Sequence, residues 1–257
     1  MLALLLAATA FAGQDITLKT ADGVSVHAIA AAAKGAKRGV VLVHMAGREA
    51  EDWRFLADKL SRSDMSVIAP DLRGHGKNVP EDQDEPDLTD SDYQAMVGEL
   101  NASIKWLRDQ GVTEVSCGGA SVGANLCLTA ASNDEEIVNL VLLSPGLKYK
   151  GVATPSAMDT YGNRPVLLVA SEDDSYSFRS ATVLEGKAHG QKHFEILNKA
   201  GHGTKMLNRD PSLEGLVTSW LLGSYKLSTG EVVAPRPKTA DTVGTVETTG
   251  EMLDAHK

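Results

Sequence analysis

The feature that most constrains this chain is a serine between two glycines, in the segment Gly119-Ala120-Ser121-Val122-Gly123. Residues 113–117 before it are rich in β-forming residues, and residues 124–131 after it favour a helix. A serine on so sharp a turn from strand to helix presents its hydroxyl beside backbone N–H groups. The glycines suit such a turn because two backbone segments approach too closely there to leave room for a Cβ atom. The segment therefore predicts an exposed nucleophilic serine at the end of a strand.

Strands and helices alternate along the rest of the chain. The apolar patterns predict strands at residues 15–20, 24–31, 39–45, 66–70, 137–143, 165–170 and 193–197, and helices at residues 51–63, 92–110, 177–188 and 211–222. Alternation of this kind predicts an α/β fold with a mostly parallel sheet covered by helices on both faces. In such sheets, ligands bind beyond the carboxyl ends of the strands.

The two ends of the chain differ in composition from its middle. Residues 1–12 are uncharged and almost wholly apolar, and they end in the small-x-small sequence Ala10-Phe11-Ala12 that is typical of signal-peptidase sites. We therefore expect a signal peptide and an exported protein that begins near Gly13, although the segment lacks basic residues; without such a signal the protein would be cytoplasmic. Residues 13–222 form the predicted domain, and the polar residues 223–257 form a tail that is disordered or a small hairpin.

Charge and composition exclude several classes of partner and cofactor. The net charge of −9 disfavours nucleic acid and anionic membrane surfaces, because both attract clustered Lys and Arg. No run of 18 or more apolar residues is present, so no membrane-spanning helix is expected. No spacing of His, Cys and acidic residues predicts a metal site, and no motif predicts a cofactor. The sequence contains no pattern that indicates the oligomeric state.

The chain contains two cysteines, Cys117 and Cys127. One lies four residues before Ser121 on the predicted strand, and the other lies six residues after it on the predicted helix. Ordinary packing of a helix on a sheet would separate their Cα atoms by about 10 Å, which is too far for a disulfide. We therefore expect two buried free thiols.

A serine hydroxyl needs a base within hydrogen-bond reach, and that base needs a carboxylate to orient it. On a parallel sheet of this kind the order along the chain is serine, acid, histidine. The segment Glu172-Asp173-Asp174 follows the predicted strand at residues 165–170, and Gly201-His202-Gly203 follows the one at residues 193–197. The sequence thus supplies an acid and a base in the required order, each at a strand end.

Four motifs together resemble the α/β-hydrolase superfamily over about residues 24–222. Besides the serine turn, they are residues 41–47, which resemble the family's strand ending in His-Gly-x-Gly; Asp71-Leu72-Arg73-Gly74-His75-Gly76, which matches its Asp-x-Arg-Gly-x-Gly segment; and Gly201-His202-Gly203. The resemblance implies a three-layer fold around an eight-stranded type of sheet. Only about 20 residues connect the strands at residues 137–143 and 165–170, so no large cap is expected.

The resemblance also implies roles for particular residues. Ser121 would be the nucleophile, His202 the general base, and Asp174 the acid in preference to Asp173, with Glu172 a more distant choice. The other acids of this segment would be ordinary loop residues or helix caps.

Backbone N–H groups and nearby side chains complete the implied site. The N–H groups of Val122 and Ala46 would form the oxyanion hole. Met45 occupies a position where the family usually has glycine, and its side chain is expected to line the acyl pocket. Tyr149, in the short connection, is a candidate for one wall of the substrate site.

Together these features predict a metal-independent serine hydrolase that cleaves a carboxylic ester or thioester of small to medium size through an acyl-enzyme. The substrate class stays open among lysophospholipids, dienelactones, thioesters and peptides, although dienelactone hydrolases proper use cysteine as the nucleophile. Two alternatives remain: a non-catalytic binding protein on the same fold, and an acyltransferase that passes the acyl group to an acceptor other than water.

Overall fold

The computed structural model describes residues 13–230 and residue 233. Its strands are β1 (Gln14–Lys19), β2 (Ser25–Ala31), β3 (Arg38–Val43), β4 (Met65–Pro70), β5 (Glu114–Ala120), β6 (Ile137–Leu143), β7 (Lys148–Tyr149), β8 (Val152–Ala153), β9 (Val166–Ser171) and β10 (Lys192–Leu197). Eight of them form one sheet in the order β1-β2-β4-β3-β5-β6-β9-β10. Strand β2 pairs antiparallel with β1 and β4, and the remaining pairs are parallel.

Helices cover both faces of this sheet. They are α1 (Arg54–Ser61), α2 (Asp90–Ala95), α3 (Val97–Asp109), α4 (Val122–Asn133), α5 (Pro155–Tyr161), α6 (Ser175–Lys187), α7 (Lys205–Arg209) and α8 (Pro211–Leu221). Apolar residues of α3, α4, α5 and α6 are buried in one core, and those of α1, α7 and α8 in a second core that also includes sheet residues. The prediction of a three-layer α/β-hydrolase fold with a mostly parallel sheet is therefore confirmed.

The central strands explain why the sheet is covered on both sides. Every residue of β4, β6 and β9 is buried, as expected for continuous apolar runs in a parallel sheet. Each fully buried Val, Leu or Ile side chain stabilises the fold by about 1.5 to 3 kcal/mol. Because β3, β5, β6 and β9 are neighbours in the sheet and parallel, their carboxyl ends lie side by side at one edge of it.

The predicted helix at residues 92–110 is instead two helices, α2 and α3. The backbone tightens between them through hydrogen bonds from Met96 N–H to Tyr93 O (3.2 Å) and from Glu99 N–H to Met96 O (3.1 Å). The first helix begins earlier than predicted because Thr89 and Asp92 form a capping box. The short elements β7, β8, α5 and α7 were not predicted, since each is too short to show a clear apolar period.

The prediction of two free thiols was wrong, because Cys117 and Cys127 form a disulfide with a Cα–Cα distance of 5.6 Å. Helix α4 and β5 are in close contact where they meet at the serine turn. The reason is the glycine at the contact: a Cβ atom on Gly119 would stand 2.3 Å from the carbonyl oxygen of Gly123. Without side chains between them, the two elements bring the cysteines within bonding reach.

The predicted signal segment, residues 1–12, lies outside the described residues, as does most of the predicted tail. Within the described part of the tail, Val233 N–H donates to the Tyr225 carbonyl (2.9 Å), and the Val233 side chain is buried in the core beside α8. Among the described helices, none has the length and apolar character needed to cross a membrane.

Candidate active site

Ser121 occupies the turn between β5 and α4 in a strained backbone conformation. Its φ of 56° and ψ of −121° are rarely adopted by a residue with a side chain. Its N–H donates to the carbonyl of Leu143 at the end of β6 (2.8 Å), which fixes the turn to the neighbouring strand. The prediction of an exposed serine was wrong, because the residue is only 8% exposed. A strained serine held this way is a feature of functional turns.

The glycines on either side of Ser121 allow three backbone segments to meet. Gly119 faces Gly123, as described above. A Cβ atom on Gly123 would stand 2.5 Å from the carbonyl oxygens of both Val43 and His44. The start of α4 is therefore pressed against the end of β3, so that the serine turn and the loop after β3 are immediate neighbours.

Residues 45–48, which we call the oxyanion loop after the role that the resemblance implies, form a tight turn closed by a hydrogen bond from Arg48 N–H to the Met45 carbonyl (3.2 Å). Gly47 has a φ of 68°, which glycine adopts without strain. Ala46 is the other central residue of this turn. Val122 begins α4, so its N–H has no acceptor within the helix. The two backbone donors implied by the resemblance therefore belong to adjoining segments.

His44 is buried and forms hydrogen bonds with two loops. Its Nδ1 donates to the Met45 carbonyl (2.8 Å), and its Nε2 accepts from Leu72 N–H (2.9 Å). Accepting from a backbone amide requires an unprotonated Nε2, so the ring is neutral. Burial lowers the pKa of His44 from 6.5 to about 4. The ring shapes the oxyanion loop by holding the carbonyl of its first residue.

Asp174 and His202 form a direct pair, with Asp174 Oδ2 2.6 Å from His202 Nδ1. Asp174 is the N-cap of α6 and also accepts from Ser177 N–H (3.4 Å). This second bond orients the carboxylate. The geometry suits a carboxylate that fixes the histidine tautomer with Nδ1 protonated and Nε2 available as a base.

Asp173 has a different partner set. Its Oδ1 accepts from the Ser171 hydroxyl and from Gly201 N–H, the latter at 3.2 Å. The Ser171 hydrogen bond is the main reason why the pKa of Asp173 lies below its usual value. Asp173 therefore tethers the backbone beside His202, whereas Asp174 contacts the imidazole.

The loop that carries His202 lies over the serine turn. A Cβ atom on Gly203 would stand 3.6 Å from the Ala120 Cβ atom and 2.5 Å from the Met45 sulfur. Gly203 N–H also donates to Ser144 Oγ (2.9 Å) at the end of β6. The residues next to Ser121 and next to His202 are thus in contact, and Met45 contacts the same point.

Met45 and Tyr149 lie beside the His202 loop. Met45 is 7% exposed, so much of its side chain packs between loops; a role as a wall of the acyl pocket stays a prediction. The Tyr149 ring stands edge-on to the His202 ring, with centroids 6.0 Å apart, and its hydroxyl is 2.8 Å from Ser177 Oγ. Burial raises the pKa of Tyr149 to about 12, so the hydroxyl keeps its proton. Contact between Tyr149 and a substrate also stays a prediction.

No group of three or more His, Cys, Asp or Glu side chains within residues 13–230 is arranged to hold a metal ion.

Comparison with known families decides the classification. Residues 40–188 match the model of the alpha/beta hydrolase family, which is more than half of the chain. The chain belongs to the alpha/beta hydrolase family. The matched segment includes the oxyanion loop, Ser121 and Asp174, and it ends before His202.

Solved structures of low sequence identity share the fold of this alpha/beta hydrolase. An esterase from Pyrococcus furiosus superposes with a TM-score of 0.67 at 17% identity, covering 82% of this chain and 90% of its own. A dienelactone hydrolase from Anabaena variabilis gives 0.66 at 19% identity, covering 82% and 97%. A serine hydrolase from the hydrocarbon-degrading bacterium Cycloclasticus zankles gives 0.67 at 14%, covering 82% and 99%. No curated protein matches the sequence.

Sequence reasoning missed three polar residues that support this site in the hydrolase. Ser177 places its hydroxyl 3.4 Å from His202 Nδ1, Ser144 accepts from Gly203 N–H, and Asp52 accepts from the Thr204 hydroxyl. Ser177 follows Asp174 by three residues, a spacing that indicates a helix cap and nothing more. The other two lie far from the histidine in sequence, so no local pattern identifies them.

The neutral state of His44 predicts a specific loss of stability in acid. Because its pKa is lowered in the folded state, only the unfolded chain takes up this proton between pH 6.5 and about 4. The free energy of unfolding should fall by about 3 kcal/mol over this range on account of His44 alone. Urea unfolding at a series of pH values measures it.

The His44→Gln variant provides the comparison. Glutamine has a donor and an acceptor but no titrating group, so the acid-side slope of stability should be smaller than in the wild type. Equal slopes for the two proteins would show that His44 does not titrate in this way.

Proposed function

We propose that this protein is a serine hydrolase that cleaves carboxylic esters or thioesters of small to medium size through an acyl-enzyme. The observation that carries the proposal is the Asp174–His202 pair, joined at 2.6 Å, in a loop that contacts the strained serine turn. A strained serine turn beside an acid–histidine pair supports this proposal, because nucleophilic serine catalysis needs a base that a carboxylate orients. Family membership supports the same conclusion.

In the proposed reaction, Ser121 Oγ attacks the carbonyl carbon of the ester while His202 Nε2 takes the hydroxyl proton. Asp174 stabilises the imidazolium that forms. The N–H groups of Ala46 and Val122 donate to the oxyanion of the tetrahedral intermediate. His202 then protonates the departing alcohol or thiol, which leaves an ester on Ser121. Water then attacks the carbonyl carbon of this ester, with His202 again as the base. This step releases the carboxylic acid and regenerates the free Ser121 hydroxyl.

The compact connection between β6 and β9 supports the proposed range of substrate size. It consists of the short strands β7 and β8 followed by α5, and it is fastened to the helix that carries the serine turn. Asn125 on α4 donates to the Val152 carbonyl (2.8 Å) and accepts from Gly146 N–H (3.0 Å). A connection of this size forms one flank of the site rather than a large cap over it.

Labelling with a fluorophosphonate tests the proposed nucleophile. Such reagents react with serines activated by a base, so we expect one adduct per molecule of wild type and none for Ser121→Ala. Intact-mass spectrometry reads out the adduct. Ser132→Ala is a matched control, since Ser132 is on the same helix with its hydroxyl bonded to the Thr129 carbonyl (2.8 Å); it should label like the wild type.

Labelling and ester hydrolysis also distinguish the role of Asp174 from that of Asp173. Asp174→Asn should slow labelling and ester hydrolysis by about 10³- to 10⁴-fold, because it disturbs the histidine tautomer. Asp173→Asn removes a backbone tether and should have a much smaller effect. Folded wild type that neither labels nor hydrolyses simple esters would contradict the proposed function and favour a binding role on this fold.

We also propose that the protein is exported. The apolar residues 1–12 and the Cys117–Cys127 disulfide support this proposal, since disulfides persist in oxidising compartments. Protein recovered from its source should begin near Gly13 and take up iodoacetamide at two thiols only after reduction. A chain that retains Met1 and carries two reactive thiols when denatured without reductant would contradict export.

A further inference from the structure

Residues 200–204, which we call the histidine loop, are each fixed by a polar contact. Four of these contacts lead to the ends of β9 and β6. They are Ala200 N–H to Ser171 Oγ (2.9 Å), Gly201 N–H to Asp173 Oδ1 (3.2 Å), His202 Nδ1 to Asp174 Oδ2 (2.6 Å) and Gly203 N–H to Ser144 Oγ (2.9 Å). These contacts fix the loop to one side of the serine turn.

The fifth contact leads to the opposite side. The Thr204 hydroxyl donates to Asp52 Oδ2 at 2.8 Å. Asp52 lies in a single turn of 3₁₀ helix, residues 50–53, which begins two residues after the oxyanion loop ends. Thr204 is 4% exposed, so the hydrogen bond is sheltered from water. This hydrogen bond therefore joins the histidine loop to the segment that follows the oxyanion loop.

Asp52 is in turn fastened to the oxyanion loop. Arg48, the last residue of that loop, donates from Nε to Asp52 Oδ2 (2.9 Å) and from Nη2 to Oδ1. A two-pronged contact of this kind fixes both the position and the plane of the carboxylate. Arg48, Asp52 and Thr204 therefore form a continuous polar bridge between the two loops.

Burial makes the bridge specific to a carboxylate. The Asp52 side chain is 9% exposed, and a charge so placed must be paired with donors to be stable. Burial alone would raise the pKa of Asp52, but hydrogen bonds from Arg48 and Thr204 outweigh it and leave the pKa below its usual value. Asp52 is thus ionised while it accepts from both partners.

We propose that Asp52 is a positioning residue, which through Arg48 and Thr204 sets the distance between the oxyanion donor of Ala46 and the imidazole of His202. The proposal rests on the proposed serine hydrolase function. Its physical basis is that the base must lie within about 3 Å of the nucleophile while the oxyanion donors lie at a similar distance from the developing charge. Two loops on different strands meet both requirements only if their separation is fixed.

The Thr204→Val variant tests the bridge with little change in shape. Four other contacts still fix the histidine loop, so the variant should fold. A small shift of either loop should lower kcat for p-nitrophenyl acetate on the order of 10- to 100-fold, with KM within about twofold of the wild type. The rate of fluorophosphonate labelling should fall with kcat. Thr204→Ser keeps the hydroxyl and should therefore keep most of the wild-type activity.

Asp52→Asn provides a second test, since it removes the charge that holds Arg48. If the bridge acts as one unit, the double variant Asp52→Asn/Thr204→Val should lose little more than the worse single variant. Asp58→Asn is the matched control: Asp58, on α1, forms an ion pair with Arg62 at the end of that helix (2.7 Å), outside the bridge. This control should keep wild-type kcat.

The outcomes separate the bridge from the proposed function. Wild type that labels at Ser121, with Thr204→Val keeping kcat within twofold, would overturn the role of Asp52 and leave the hydrolase intact. A purely structural role of the hydrogen bond would lower the melting temperature of Thr204→Val without a change in kcat, and would also overturn it. Failure of the wild type to label would instead count against the proposed function.

Discussion

The close approach of helix α4 to strands β5 and β3 is the constraint on which the rest of the site depends. It requires glycine at positions 119 and 123, because a Cβ atom at either would collide with backbone. It forces Ser121 into its strained conformation and brings the first N–H groups of α4 beside the oxyanion loop. It also brings Cys117 within bonding distance of Cys127. One packing contact therefore positions Ser121, the first backbone N–H groups of α4 and a covalent crosslink.

The layers of the fold were predictable because long buried strands and amphipathic helices leave periodic patterns in sequence. The run 137–143 is a strand over the same residues in the structure. Prediction failed where tertiary contacts act: Met96 interrupts a helix whose apolar stripe continues through it, and the disulfide needed a helix-to-strand distance that average packing does not give. The period of the apolar residues shows which face of a helix or strand is buried. It does not show how far apart two elements lie, because that distance depends on the side chains at their contact.

For the site, local motifs were enough to predict that an acid of residues 172–174 and His202 would lie together at one edge of the sheet, since each follows a strand. The choice between Asp173 and Asp174 depended on the resemblance, and the structure shows its physical origin. Asp174 caps α6 and contacts His202, while Asp173 contacts the backbone of Gly201. Asp52 escaped prediction because it is 152 residues from Thr204 along the chain. Polar bridges between distant loops leave no local signal in a single sequence.

The most direct test of this account is a crystal structure of the protein after reaction with a fluorophosphonate. The phosphonyl group resembles the tetrahedral intermediate, so its phosphoryl oxygen reports where the oxyanion would lie. The account predicts phosphorus bonded to Ser121 Oγ and this oxygen about 2.7 to 3.1 Å from the nitrogens of both Ala46 and Val122. An adduct on another residue, or one whose oxygen points away from both N–H groups, would contradict it.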